Sequence, residues 1–376
     1  AVPCALNAWN YPQNVVCYGV TRTDRGETMA RTKDGGDALR QFKSDLRAGT
    51  LRTLYVFCGE EAYLREYYIR QLEQKLTGGS PDAFNYHRFS AENFSPEAVS
   101  DAVEAMPMLS DRTLVRIDDV DLFKLAEGAR GQMTDILCDL PDYCCVALYY
   151  DTVAYKPNGT MKKLAEALKN HAQVLEFTKP GESDLAAWVL RHFRAHEKNI
   201  PDELCRYLIF LTDGSMTTLG SEIDKIAAFC SGQSVTRSDI DAVVTPALSA
   251  QSFDISNAVA KGNYELALTK LQTLFALQED EFMILGALGA QLRRLYYARV
   301  VAAAGKGADA LMELTGMKSY AAGVTMTAAR GMTDRFCERA VELCLETDYQ
   351  MKSSGGDAQR LLELLLARLY EEARRA

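Results

Sequence analysis

Strand-like and helix-like segments take turns as far as Lys179-Pro180-Gly181, and beyond that tripeptide the strand signals stop. The run LYVFC at Leu54–Cys58 is continuously apolar, the pattern of a strand covered on both faces. Gly59 closes it, and 60–76 carries Leu64, Tyr68, Leu72 and Leu76 at helical spacing. The same reading predicts strands over 84–89, 113–117, 144–150 and 173–177, and helices over 38–47, 96–105, 122–137 and 162–169. Strands separated by helices imply parallel crossovers, and hence an α/β layer.

The remainder reads as all-α. Small helices fill 184–245, punctuated by Pro201, Asp213-Gly214 and Ser231-Gly232, and Thr236 with Asp239 forms a capping box for the last of them. Pro246 marks a second boundary, followed by long helical segments near 264–277, 281–304, 333–350 and 357–374. In the last, Leu361, Leu362, Leu364, Leu365, Leu366 and Leu369 cover more than one face, which predicts a helix buried between neighbours, inside the domain or against another subunit. Residues 1–28 show no sustained periodicity and read as a non-native or unstructured extension, either upstream translated sequence or an expression remnant. The expected division is therefore 29–180, 181–245 and 246–376, in keeping with two or three domains for 376 residues.

Composition narrows the function. With 42 Lys and Arg against 51 Asp and Glu, the net charge is −9, which argues against a protein whose main work is gripping phosphate backbones. A protein partner fits better. No stretch approaches the ~18–20 uninterrupted apolar residues of a membrane span, and no basic-then-apolar leader is visible at the N-terminus. The ten cysteines contain no pair with the spacing of a zinc knuckle or redox motif, and Cys58, Cys144 and Cys145 sit inside apolar runs. Free thiols in a reducing cytoplasm are the expectation.

An α/β layer followed by small helices is the layout of a nucleotide-driven motor, so the loop after the first strand is decisive. A phosphate loop needs G-x-x-x-x-G-K-[ST], whose bare amides cradle phosphate while its lysine neutralises it. None is present; Gly305-Lys306-Gly307 lacks both the upstream glycine and the preceding strand. The corresponding place reads Gly59-Glu60-Glu61, which puts carboxylates at a helix N-terminus where they repel an anion. No catalytic residues, metal ligands or cofactor are expected. His192 and His196 stand at a legal spacing for metal but lack a third ligand in register, so a solvated helix face is the reading. Asp118, Asp119 and Asp121 read as a solvated acidic turn, and Glu222 with Lys225 as a structural pair.

The residues just quoted also carry a resemblance. LYVFCGEEAYL, over 54–64, resembles the opening strand and G-x-E-x-x-L turn of the delta subunits of bacterial DNA polymerase III, the clamp-loader wrench. FSAEN at 89–93 and AMPMLSDRTLVRI at 105–117 are similar to the family's clamp-contacting loop and the strand after it. LGSEIDK at 219–225 is similar to an N-E-x-x-K-L pattern, with Ser221 replacing the asparagine. FDISNAVAKGN at 253–263, QLR at 291–293 and DYQMKSSG at 348–355 match later signatures in order. The resemblance implies a degenerate AAA+ domain with a RecA-like parallel sheet, a helical lid and a helical collar. It implies no ATP hydrolysis by the chain itself, within a holoenzyme that is a DNA-directed DNA polymerase, a nucleotidyltransferase. The implied partners are the beta sliding clamp, the gamma/tau and delta-prime subunits, and primer-template DNA within the assembled complex, with no membrane.

Carried onto this sequence, the clamp-binding residues are Met108 and Leu109, flanked by Met106, Pro107 and Ser110. The family more often has Leu-Phe there; Met-Leu keeps the apolar character without the ring. The residues themselves point to the same loop, since apolar side chains in a short turn between helix and strand mark a protein contact. By pattern alone they could equally tuck into their own domain. Two other functions stay open at this point: a clamp-loader-like ATPase with an unconventional nucleotide site, and a helical scaffold unrelated to replication.

Overall fold

The computed structural model describes residues 35–78, 84–108, 110–353 and 356–375, so the expectation for residues 1–28 lies outside the described residues. The first half runs α1 (Gly35–Ala48), β1 (Leu54–Cys58), α2 (Ala62–Thr77), β2 (Tyr86–Phe89), α3 (Pro96–Glu104), β3 (Thr113–Asp118), α4 (Glu127–Cys138), β4 (Cys144–Tyr149), α5 (Lys162–His171) and β5 (Gln173–Glu176). The five strands form one sheet of order β2-β3-β4-β1-β5, and every pair is parallel. In the centre Leu54 pairs with Val146 of β4, and Tyr55 with Gln173 of β5. This is the RecA-like parallel sheet expected.

Side-chain alternation along β1 feeds two cores. Leu54, Val56 and Cys58 face Val99, Met133, Leu137, Leu164 and Leu168 of α3, α4 and α5. Tyr55 and Phe57 face Phe42 of α1 and Ile69 and Leu72 of α2. Caps fix the helix ends: Ser95 accepts the Ala98 N–H with Pro96 in the first turn of α3, and α2 stops at left-handed Gly78.

Beyond Gly181 the described elements are helices, with one isolated bridge between Asn199 and Ser234: α6 (Glu182–Ala195), α7 (Asp202–Leu211), α8 (Met216–Phe229), α9 (Arg237–Val243), α10 (Leu248–Ala260), α11 (Tyr264–Ala276), α12 (Glu281–Ala303), α13 (Ala308–Thr315), α14 (Ser319–Ala329), α15 (Asp334–Ser353) and α16 (Ala358–Arg375). The capping box at Thr236 and Asp239 is formed. Val189, Phe193, Leu208, Leu219 and Ile223 centre one core, and Leu271, Leu288, Leu292, Leu343, Leu362 and Leu366 another; α10 gives Ala250 to the first and Ile255 to the second. No described helix is long and apolar enough to cross a membrane.

Several expectations need correcting. The helix expected over 122–137 is a 3₁₀ turn at Leu122–Lys124 followed by α4, because Leu122 and Phe123 turn into the core. Two short helices, α13 and α14, stand between the long helical segments named above. On α16, Leu362, Leu365, Leu366 and Leu369 are buried within the fold, and Leu364 is exposed. The acidic turn is not simply solvated. Asp118 pairs with Arg88 and Arg116, and left-handed Asp119 accepts the backbone N–H groups of Asp151, Thr152 and Val153. Asp121 accepts the Phe123 N–H. The two histidines also differ from a free helix face: His192 packs on Trp188, with ring centroids 3.9 Å apart, and His196 Nε2 lies 2.9 Å from Asp224. Glu222 and Lys225 do form the expected pair, at 2.7 Å.

Candidate functional site

Helices switch faces where β1 meets β4, and in such sheets a ligand sits in the crevice at the strands' carboxyl ends. Here the crevice opens onto Gly59, Glu60 and Glu61 (Gly59 φ +116°). A Cβ on Gly59 would lie 2.3 Å from the Phe177 carbonyl oxygen and 2.5 Å from its nitrogen. Close approach to β5 therefore requires the glycine, with no phosphate involved. Glu61 donates its backbone N–H to Phe177 O at 2.9 Å, and its carboxylate accepts the Tyr63 N–H at 3.2 Å as the cap of α2. Burial pushes the Glu61 carboxyl up, and the Tyr63 N–H, Lys179 and Arg65 only partly offset it. Glu60 is exposed.

The crevice is filled by the chain itself. Arg65, only 2% exposed, donates to the Gly59 carbonyl and to Asp151 beyond β4, and lies 5.4 Å from the Tyr149 ring. Arg116, buried within β3, lies over the same ring at 4.4 Å and holds Glu73 of α2 at 2.8 Å. Arg65 thus ties the loop where a motor would seat its phosphates to Asp151, and Arg116 ties β3 to α2. Among the described residues no group of three His, Cys, Asp or Glu is placed to hold a metal ion.

The second predicted site lies at the opposite end of the sheet, before β3 rather than after β1. After α3 ends at Glu104, the chain turns through Met106, Pro107 and Met108 before β3. Met106 is 79% exposed and Met108 62%, so both side chains point outward, and Ser110 is exposed beside them. Leu109 lies outside the described residues. The backbone under these side chains is held hard. Buried Asn85 donates from Nδ2 to Met108 O at 2.6 Å and to Ser110 Oγ at 2.8 Å, while its Oδ1 accepts the Met108 N–H at 2.7 Å. Ser110 in turn donates to Arg112 O, and Arg112 donates to Leu51 O and Asp142 O.

Two further residues join this loop that the sequence pattern does not mark. Asn85 is its clamp, and nothing around a strand start signals such a role. Phe84, which precedes Asn85 in the chain, is 80% exposed and presents an aromatic ring to solvent. Its apolar character places it in the expected strand, but that strand begins two residues later, at Tyr86. The structure thus brings Met106, Met108 and Ser110 together on one surface and keeps Gly59, Glu60 and Glu61 apart from them in the crevice.

The profile of the family described as DNA polymerase III, delta subunit, matches residues 55–178, and that of the C-terminal domain of the DNA polymerase III delta subunit matches residues 249–369. The chain belongs to the DNA polymerase III delta subunit family. A relative, DNA polymerase III subunit delta of Bacillus subtilis, is 23% identical over 332 residues, covering 87% of this chain and 95% of that one. The solved DNA clamp loader delta protein of Bacillus subtilis is similar in fold, with a TM-score of 0.54 and 21% identity, over 89% of this chain and 99% of that one. The family matches take in both the crevice and the Met106–Ser110 loop. As a delta-family chain, it carries a parallel sheet with Gly59-Glu60-Glu61 in the place where a motor would have its phosphate loop.

Proposed function

We propose that this chain is the clamp-opening, non-hydrolysing subunit of its loader, and that Met106, Pro107, Met108, Leu109 and Ser110 contact the beta sliding clamp. The observation that carries the reading is the Asn85-bound backbone beneath outward-facing Met106 and Met108. A loop whose main chain is already fixed loses little conformational entropy when its side chains are buried. Burying Met108 and Leu109 contributes roughly 3–6 kcal/mol, at about 1.5–3 kcal/mol each, and methionine adapts to an imperfect pocket. Phe84 supplies the ring that the Met-Leu pair lacks.

Opening a ring then needs no covalent chemistry. A subunit that binds the open ring more tightly than the closed one shifts that equilibrium by the difference, and no further. Residues 29–180 form the AAA+-type domain in this reading, 181–245 the lid and 246–376 the collar. The collar joins the gamma/tau and delta-prime subunits, with exposed Leu345 and Tyr349 on α15 and Leu364 on α16 as apolar surface for them. The assembled loader works on primer-template DNA in the cytoplasm. Control by ATP resides in the companions, because Arg65 and Asp151 close the crevice in this chain.

Surface plasmon resonance of the full chain against the cognate clamp, without nucleotide, tests the assignment. Tight binding that is lost on replacing Met108 and Leu109 together with alanine supports it; unchanged affinity in that double variant overturns the site. A fluorescent ATP analogue with Mg²⁺ should show no saturable binding, and saturation would favour an unconventional nucleotide site instead.

A further inference from the structure

Where α7 meets α10, α12 and α14 there is a cavity of about 140 Å³. A single water needs only about 10–15 Å³ of such volume, so a ligand of several heavy atoms fits. Its lining includes three cations, Arg206, Arg294 and Lys318, and one carboxylate, Asp213. Arg206 is engaged already, by Asp202 at 2.8 Å and Glu182 at 3.3 Å. The other two are not. Half-buried Arg294 has no hydrogen bond or ion pair to any described residue, and Lys318 reaches only the Asp213 carbonyl, at 3.4 Å. Burial pushes the Lys318 ammonium below its ordinary range, and the nearby carboxylates of Asp213 and Glu182 do not restore it.

Two deeply buried polar groups in the same wall also lack partners. Gln291 is 3% exposed with its Nε2 unsatisfied, and Thr325 is 0% exposed with its Oγ1 unsatisfied. A native fold seldom leaves such groups orphaned, because each costs about 1–3 kcal/mol of uncompensated desolvation. Donors dominate: a guanidinium, an ammonium, an amide and a hydroxyl. Together they exceed the roughly four acceptor positions of a carboxylate and suit a phosphoryl group with three strong acceptor oxygens.

We propose that this cavity binds a small phosphorylated anion, held by Arg294 and Lys318 and hydrogen-bonded by Gln291 and Thr325. The depth of Gln291 and Thr325 keeps out a phosphodiester of an intact strand, so the ligand is a free anion. Tyr320, which stacks obliquely with Phe210 at 5.4 Å, gives the cavity an apolar wall for an organic portion. Because α7 packs with the core of α6 to α9 and α14 with that of α11 to α16, an occupied cavity fastens those two bodies together.

Isothermal titration of the full chain with sodium pyrophosphate and with inorganic phosphate, free of Mg²⁺, provides the test. The expected result is saturable one-to-one binding of pyrophosphate that weakens at least tenfold in Arg294→Gln and further with Lys318→Gln added. Amide exchange should slow in both α7 and α14 when pyrophosphate is present. Arg294→Gln touches no internal partner, so its fold is safe, and circular dichroism verifies it. Heats that do not saturate, affinity unchanged in Arg294→Gln, or binding of a short oligonucleotide in place of pyrophosphate would each overturn the proposal.

Discussion

Replacing Gly59 with alanine separates a structural glycine from a remnant of phosphate binding. The new Cβ would stand 2.3 Å from Phe177 O, 2.5 Å from its nitrogen and 2.8 Å from its carbonyl carbon, all of them backbone atoms that no rotamer change can move. Relief requires β5 to withdraw from β1. That stretches the Phe177 N–H bond to Cys58 O, now 2.8 Å, and the Glu61 N–H bond to Phe177 O, now 2.9 Å. Two buried backbone bonds at about 1 kcal/mol each, with about 1–3 kcal/mol for an L-residue at this φ, give a loss of about 3–5 kcal/mol. Against a typical stability of about 5–15 kcal/mol this is severe but not total. Hydrogen exchange read by mass spectrometry localises it: Glu61 and Phe177 amides should exchange about 100-fold faster or more, since 1.4 kcal/mol is a factor of ten. Gly131 in α4 has nothing within 4 Å of its built Cβ, so Gly131→Ala is the control and should gain about 0.5–1 kcal/mol. A Gly59→Ala protein within about 0.5 kcal/mol of wild type on the scale of these terms, with unchanged exchange at Glu61 and Phe177, would refute the reasoning.

Other expectations follow from the same geometry. Asn85→Ala removes three hydrogen bonds from the loop; the ordering it leaves to be done on binding should weaken clamp affinity about tenfold, with helix content unchanged by circular dichroism. Burial alone would raise the Glu182 carboxyl, but hydrogen bonds from Ser319 and the Arg206 ion pair outweigh it and hold it below its ordinary 4.5. A depressed acid stabilises the fold above its unfolded value and loses that contribution as pH falls through the folded one. Urea midpoints of wild type and Glu182→Gln should therefore differ at pH 7 and converge toward pH 3; a constant gap would contradict this. Burial pushes the thiols of Cys58 and Cys144 up to about 12, and those of Cys205 and Cys337 to about 11, while Cys138 is exposed. Brief alkylation of the native protein at neutral pH should modify Cys138 and spare those four, as peptide mapping would report.

What could be read from the sequence was set by burial pattern. Leu54–Cys58 and Cys144–Tyr149 are wholly apolar because both faces are covered, so they stand out without any structure, whereas Thr113–Asp118 is half polar and shows through Leu114, Val115 and Ile117. Long helices α12, α15 and α16 are equally plain. Short α13 and α14 are not, since eight to eleven residues between glycine-rich turns carry little periodic signal. Long-range polar contacts are invisible in a string. Arg65 and Asp151 are 86 residues apart in sequence, and Arg116 and Glu73 are 43 apart. A carboxylate such as Asp119 looks solvated by its neighbours in sequence and turns out to bind a loop from elsewhere. At the Met106–Ser110 loop, the exposed methionines are legible as apolar residues in a turn. Asn85 is not, because its partners lie more than 20 residues away.

Ring opening without nucleotide is the most direct measurement. A clamp carrying a fluorescence energy-transfer pair across one protomer interface is mixed with the full chain in the absence of ATP. Transfer should fall with saturable dependence on wild-type protein, and should stay at the closed-ring value with the Met108→Ala, Leu109→Ala double variant. A ring that stays closed with wild type, opens only when ATP is added, or opens equally well with the double variant would contradict the central claim.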